Sequence, residues 1–72
     1  MAIKTAAEFI RIIVEYGFVL DRQSGSHRIY KGVIAGKMRL VVVAIHRESD
    51  EIKPGTLAAL IRQSGLDKKL FR

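Results

Sequence analysis

The sequence predicts a small α+β fold in which two helices cover one face of a three-stranded antiparallel sheet. An amphipathic helical pattern opens the chain, three strand-like segments follow, and a second amphipathic helical pattern comes after them. Helices that flank a run of strands in this way bury their apolar stripes on one face of the sheet, which gives a two-layer architecture. The 72 residues are enough for a single domain, 1–72, and contain no repeat or linker.

The first helix is predicted to begin after Thr5 and to end at Gly17. Thr5 and Glu8 have the spacing of a capping box, in which each side chain bonds the backbone N–H of the other residue. Gly17 stands where a left-handed residue ends a helix at low cost. The apolar residues of this segment recur at steps of three and four: Ala6, Phe9, Ile10, Ile13 and Tyr16.

Three strands are predicted over residues 18–23, 27–31 and 38–45. The first two are joined by the tight turn Ser24-Gly25-Ser26 and form a hairpin. Gly32 and Gly36 are expected to bracket the next turn.

The third strand is apolar on both of its faces. We expect Leu40 and Val42 to fill the core, which would leave Val41, Val43 and Ile45 as an exposed row. An exposed apolar row on a small sheet marks an interface, with a protein partner or with a second copy of the chain.

The second helix is predicted from Pro54, which suits a first helical turn, to Gly65, which can end the helix. Residues 67–72 are predicted to form one terminal turn at most. The order helix, three strands, helix is that of double-stranded-RNA-binding domains, which recognise RNA shape and backbone.

The net charge of +6 is concentrated in the middle of the chain, because residues 17–47 hold six bases against one acid. Such a basic surface favours a polyanion such as nucleic acid, or an acidic protein. The chain has no cysteine and only two histidines, so we predict no disulfide, no metal site and no cofactor. The longest apolar run, residues 40–45, is too short to span a membrane, and a cytoplasmic protein without a membrane partner is expected.

Three short motifs, in order, resemble the HicA-type toxins of bacterial toxin–antitoxin pairs. The first is the junction at residues 15–18, and the second is the Gly-Ser-His turn at residues 25–27 with the apolar pair at 29–30. The third is the segment 53–57 together with the glycine-leucine cap at residues 65–66. Two features differ: Ala44 stands where the family usually has proline, and the loop 47–51 is acidic instead of glycine-rich.

The resemblance implies the toxin of a type II toxin–antitoxin pair, a messenger-RNA endoribonuclease of double-stranded-RNA-binding-like fold, inhibited by a HicB-type antitoxin. It also favours His27 as the catalytic residue, acting as general acid or base. Imidazole has an unperturbed pKa of about 6.5 and can exchange a proton near neutral pH, so metal-independent cleavage is chemically feasible. Without the resemblance, His27 would be interpreted as a histidine that ends a turn.

The basic and polar residues near His27 and at the start of the second helix are predicted to bind RNA phosphates through charge-assisted hydrogen bonds. They are Arg22, Ser26, Arg28, Lys31, Lys53 and Thr56. His46 is a less favoured partner for His27, and Asp50 and Glu51 are interpreted as solvated loop residues.

Two alternatives stay open: a non-catalytic double-stranded-RNA-binding module, and a domain whose basic face binds an acidic protein. A homodimer in the absence of the antitoxin is a further expectation.

Overall fold

A computed structural model describes residues 3–47 and 49–72 and confirms the predicted α+β arrangement of elements. The three strands pair in the order β1-β2-β3, and both pairs are antiparallel. The elements are α1 (Ala6–Glu15), β1 (Val19–Ser24), β2 (His27–Ile34), β3 (Lys37–Ala44), α2 (Pro54–Ser64) and a 3-10 helix (Lys68–Phe71).

The capping box of α1 is confirmed. The Glu8 N–H donates to Thr5 Oγ1 at 3.2 Å, and the Thr5 N–H donates to Glu8 Oε1 at 3.0 Å. The same carboxylate oxygen accepts the Lys4 N–H at 2.8 Å. The N–H groups of Lys4 and then of Thr5 hold the pKa of Glu8 below its usual value, because they bond its charged form. Gly17 follows the helix with φ +101°, in the left-handed region.

The core lies between the helices and one face of the sheet, and it includes Phe71, which the sequence analysis did not place there. The rings of Phe9 and Phe71 stack with their centroids 5.3 Å apart. The Ile3 N–H donates to the Phe71 carbonyl at 3.1 Å, which ties the segment before α1 to the 3-10 helix. The predicted terminal turn is therefore a structural part of the core.

Strand β2 is longer than predicted, and Gly32 lies inside it instead of in a turn. The turn is formed by Ala35 and Gly36, both with positive φ. A Cβ on Gly32 would lie 2.8 Å from Cγ of Phe18, so the Phe18 ring rests directly on the glycine. Glycine is therefore needed at this position because an aromatic ring fills the space of its missing side chain.

The predicted faces of β3 are reversed in the structure. Val41 and Val43 are 0 % and 1 % exposed, and Ile45 after them is buried, whereas Leu40 and Val42 are 49 % and 42 % exposed. The expected row Val41, Val43 and Ile45 is thus the core row, and the prediction that it forms an interface was wrong. The register explains the result, since Val41 pairs with the buried Tyr30 on the helix side of the sheet.

We call the side of the sheet away from the helices the outer face. Cross-strand partners share a face, so the register defines its members. They are Val19, Arg22 and Ser24 on β1, His27, Ile29, Lys31 and Val33 on β2, and Met38, Leu40, Val42 and Ala44 on β3.

Helix α2 lies beside β3, where Gln63 Oε1 accepts the Val42 N–H at 3.4 Å. Gly65 ends the helix in a left-handed conformation, as predicted. The buried Ser64 hydroxyl donates to the Ile61 carbonyl at 2.6 Å and accepts the Leu66 N–H at 3.1 Å.

Among the described residues, no helix has the length and apolar character needed to cross a membrane.

Candidate functional site

His27 is the first residue of the central strand and lies on the outer face. Its cross-strand partners are Ser24 on β1 and Ala44 on β3. Paired side chains on one face have Cβ atoms about 5 Å apart, so the imidazole is flanked by two small side chains. The residue is exposed, and the turn before it contains Gly25 with φ +59°. A ligand on the outer face can therefore reach His27 without displacing a larger neighbour.

Arg22 is the nearest predicted RNA-binding cation on this face. It pairs with Ile29, two residues from His27 along β2, which corresponds to a separation of about 7 Å along the strand. Lys31 is four residues from His27, about 13 Å along the strand. Lys31 Nζ also lies 3.6 Å from Asp21 Oδ1, so part of its charge is compensated. Arg22 thus lies closer to the histidine than Lys31 does, and it has the better position to bind a phosphate group that His27 also contacts.

Arg28 and Ser26 do not lie beside His27 on the outer face. Arg28 pairs with Gln23 and with the buried Val43, which places it on the helix side of the sheet. The Ser26 carbonyl accepts the N–H of Ile45 at 2.7 Å, so this turn residue fastens the hairpin to the chain after β3. RNA binding by Arg28 and Ser26 stays a prediction.

Lys53 and Thr56 line a cleft of about 240 Å³ at the start of α2. Val42 and Ala44 form the opposite wall, and Ala44 is the cross-strand partner of His27. Lys53 occupies the N-cap position of α2, but its side chain makes no capping hydrogen bond. First-turn N–H groups and the helix dipole favour an anion at such a helix start. The fold therefore brings the two predicted anion-binding regions to the same end of the sheet.

Asp50 organises the loop after β3, a role that the sequence analysis did not assign to it. Its Oδ2 accepts the N–H of Arg47 at 3.0 Å and of His46 at 3.3 Å, and its Oδ1 lies 3.6 Å from Arg47 Nε. The Arg47 N–H, with help from the His46 N–H and the Arg47 charge, lowers the pKa of Asp50. Asp50 thus positions the backbone at His46, and an aspartate soon after a strand end is the sequence signal for such a turn. The predicted loop residue Glu48 lies outside the described residues.

Within residues 3–47 and 49–72, no three histidine and carboxylate side chains converge as a metal site would require. On the outer face, the register places the cations Arg22 and Lys31 nearest to His27. The cleft at the start of α2 is lined by Lys53 and also by the carboxylates of Asp50 and Glu51. The site is therefore an exposed imidazole beside a set of cations, which suits proton transfer at an anionic substrate.

Comparison with protein families gives a match over most of the chain. Among curated proteins, none matches the chain at a significant level. A family model described as the HicA toxin of bacterial toxin–antitoxin systems matches residues 6–66, which runs from the first residue of α1 to the leucine after the α2 cap. This match includes the Gly-Ser-His turn and the start of α2. The chain therefore belongs to the HicA toxin family.

Proposed function

We propose that this toxin is an endoribonuclease that cleaves messenger RNA without a metal ion and that His27 transfers the proton. The supporting observation is the position of His27, an exposed imidazole between Ser24 and Ala44 with Arg22 on the same face. Because messenger RNA is the substrate, the site of action is the cytoplasm.

The chemistry uses the 2′-hydroxyl of RNA as nucleophile. Neutral His27 accepts the 2′-hydroxyl proton while the oxygen attacks the adjacent phosphorus. The bond from phosphorus to the 5′-oxygen breaks, and that oxygen takes up a proton from the solvent, to which His27 then releases the proton it accepted. The products are a 2′,3′-cyclic phosphate and a 5′-hydroxyl end. Arg22 stabilises the charge on the phosphate as the bond to the 2′-oxygen forms.

Lys53 and Thr56 would hold a neighbouring phosphate of the same strand. They lie across a cleft from Ala44, so an RNA backbone that passes His27 can continue toward the start of α2. Binding at two phosphates fixes the substrate, which allows the imidazole to meet one particular 2′-hydroxyl.

The first test is RNA cleavage by purified protein in the presence of a chelator. His27→Ala should reduce the cleavage rate by about 10²–10⁴-fold, the usual contribution of a general acid or base. His46→Ala is the matched control, since it removes the other imidazole, and it should lose much less. An RNA with 2′-deoxyribose at the cleaved position should stay intact, and the wild-type products should carry 2′,3′-cyclic phosphate ends.

Cleavage by His27→Ala at the wild-type rate would remove His27 from the mechanism. An equal loss in both variants would mean that His46 takes part as well. Cleavage that stops on addition of the chelator would show that a metal ion is needed.

The element order favours a second candidate, a non-catalytic module that binds double-stranded RNA. The same assay separates the two functions. A binding module retains RNA on the protein but releases no fragments, and its His27→Ala variant binds as the wild type does.

Membership of a toxin–antitoxin family implies an antitoxin partner. We infer a HicB-type antitoxin that suppresses cleavage by binding the toxin. Co-expression with that antitoxin should restore growth to cells that produce the wild-type chain, and cells that produce His27→Ala should grow without it.

A further inference from the structure

The cleft at the start of α2 combines apolar walls with two acidic residues and one basic residue. Val42 and Leu60 contribute to the walls, and the charged residues are Asp50, Glu51 and Lys53. Carboxylates repel a phosphate, so phosphate binding accounts for only part of this lining. The cleft volume of about 240 Å³ is below the roughly 300 Å³ at which pockets for drug-sized ligands begin. The cleft therefore suits one small group that has both apolar surface and hydrogen-bond donors.

The two carboxylates of the cleft differ in what they leave free for a ligand. Asp50 is already occupied, because its Oδ2 accepts two backbone N–H groups of its own loop. Within residues 3–47 and 49–72, the Glu51 carboxylate makes no hydrogen bond or ion pair. The Glu51 backbone is held on both sides: the Ala6 N–H donates to the carbonyl before it at 2.9 Å, and the N–H after it donates to the Lys4 carbonyl at 2.7 Å. Glu51 therefore presents two acceptor oxygens from a fixed backbone position.

The cleft lies one strand away from His27. Ala44 lines the cleft and is also the cross-strand partner of His27, which places the Cβ atoms of the pair about 5 Å apart. Neighbouring nucleotides are about 3.4 Å apart in a stacked strand and farther apart in an unstacked one. When a phosphate lies at His27, the base of an adjacent nucleotide is therefore within reach of the cleft.

The hydrogen-bonding edges of the four bases decide which of them fits. A carboxylate only accepts hydrogen bonds, whereas the Lys53 ammonium only donates them and has three protons to donate. Guanine presents two adjacent donors, N1–H and the 2-amino group, beside the acceptor O6. Adenine and cytosine have a ring nitrogen that accepts next to their amino group, and uracil has a carbonyl on each side of its N3–H. These three bases would bring a lone pair against the Glu51 carboxylate, and guanine would not.

We propose that this cleft binds a guanine base next to the cleaved bond, with Glu51 on its N1–H and 2-amino group and Lys53 on its O6. The side chains of Val42 and Leu60 cover the apolar faces of the ring. The other donors of Lys53 stay available for a phosphate of the same strand. The role of the cleft in choosing the cleaved bond rests on the proposed function, whereas the preference for guanine is a property of binding.

The test measures binding of single-stranded hexanucleotides that lack every 2′-hydroxyl and therefore stay intact. Each is a run of deoxyuridine with one guanine, adenine, cytosine or hypoxanthine near its centre. The guanine oligonucleotide should bind the wild type about tenfold more tightly than the adenine one, which is typical of a bidentate contact to a base. Hypoxanthine lacks only the 2-amino group of guanine and should give an intermediate affinity.

Glu51→Gln replaces one acceptor oxygen by an amide group that donates. It should reduce the preference for guanine over adenine to about twofold or less. The variant should also bind guanine and hypoxanthine almost equally, because the partner of the 2-amino group is gone. Glu15→Gln is the matched control, since it removes an exposed carboxylate at the end of α1 that does not line the cleft. It should keep the wild-type preference.

The proposal is overturned if the wild type binds all four oligonucleotides equally or prefers a base other than guanine. A uniform gain in affinity for all four in Glu51→Gln would show that this carboxylate only repels the backbone, and it overturns the proposal too. An equal loss of preference in Glu15→Gln has the same consequence, because it would be an effect of overall charge.

Cleavage is scored separately by mapping the fragments of a messenger RNA. Cuts that ignore guanine, made by a chain that prefers guanine in binding, would remove the role of the cleft in choosing the bond. Guanine binding without any cleavage retains the cleft and removes the proposed function. Cleavage without a guanine preference in binding does the reverse.

Discussion

His27 and Arg28 are adjacent in the chain, but the pleat of β2 sends them to opposite faces of the sheet. Nearness in sequence is therefore a poor guide to which side chains surround His27, because a residue two positions away along a strand lies on the same face and the next residue does not. Arg22 lies on the same face as His27 because it pairs with Ile29, whereas Asp21 compensates part of the charge of Lys31. At the scale of single residues, strand alternation and ion pairing therefore place Arg22 ahead of Lys31 and Arg28 as the cation expected to bind a phosphate beside the imidazole.

This ranking predicts different salt dependences for two variants. Each phosphate contact to single-stranded RNA adds about 0.7 to the slope of log affinity against log salt concentration. Arg22→Ala should reduce the slope by about that amount. Lys31→Ala should reduce it by less, because Asp21 already compensates part of the Lys31 charge. RNA titrations at several salt concentrations measure both slopes, and a larger effect of Lys31→Ala would contradict the ranking.

Gly32 supports a prediction about stability at the same scale. Gly32→Ala places a Cβ 2.8 Å from the Phe18 ring, so the ring must move and the free energy of unfolding should fall by about 1–3 kcal/mol. Gly55→Ala is the control, because a Cβ there meets nothing within 4 Å and its φ is not in the left-handed region. It should stabilise the protein by about 0.4–1 kcal/mol. Urea unfolding measures both changes, and equal midpoints for the two variants would show that the Phe18 contact is unimportant.

At the scale of elements, sequence patterns predicted which segments are helices and strands but not which face of β3 is buried. The helical steps of α1 and the capping residues around both helices mark local features that depend on few neighbours. In β3, the row with Leu40 and Val42 is wholly apolar, whereas the core row begins with Lys37 and Arg39. Polarity alone therefore favoured the wrong face. The deciding factor was pairing with Tyr30, a long-range contact that a single sequence does not reveal.

Gly32 was misinterpreted for a related reason. Glycine favours turns when only the local sequence is considered, but here it accommodates the ring of Phe18, which lies just before β1 and faces Gly32 across the hairpin. The position of His27 at a strand start was predictable from its local turn. The cleft between β3 and α2 could not be predicted from the sequence, because it depends on how a helix lies beside an edge strand.

The start of α2 couples helix stability to the proposed RNA binding. Lys53 has the extended backbone of an N-cap residue, with φ −64° and ψ 144°, but it makes no side-chain capping bond. Lys53→Ser should supply that bond and stabilise the fold by about 1 kcal/mol. The same change removes a cation and should weaken RNA binding. Thermal unfolding and RNA titration measure the two effects, and unchanged RNA affinity would show that Lys53 does not contact a phosphate.

At the scale of the whole molecule, valine side chains of one strand have opposite roles on its two faces. A chain of this length has a free energy of unfolding of roughly 4–11 kcal/mol, since stability amounts to about 0.05–0.15 kcal/mol per residue. In the described part of the chain, the buried apolar residues belong to one cluster, to which α1, the sheet, α2 and the 3-10 helix contribute side chains. A single buried charge in that cluster therefore threatens the whole fold, whereas a charge on the outer face affects only what binds there.

Two variants of neighbouring valines test this division. Val43→Lys places an ammonium group where the native side chain is 1 % exposed, and a buried unpaired charge costs several kcal/mol, comparable to the total stability. The variant should lose its helical circular dichroism at room temperature or unfold at much lower urea concentrations. Val42→Lys makes the same change one residue away, where the side chain is 42 % exposed, and should stay folded. If Val43→Lys folds normally and Val42→Lys does not, the faces of β3 are opposite to those described, and the outer face would then be the core side of the sheet.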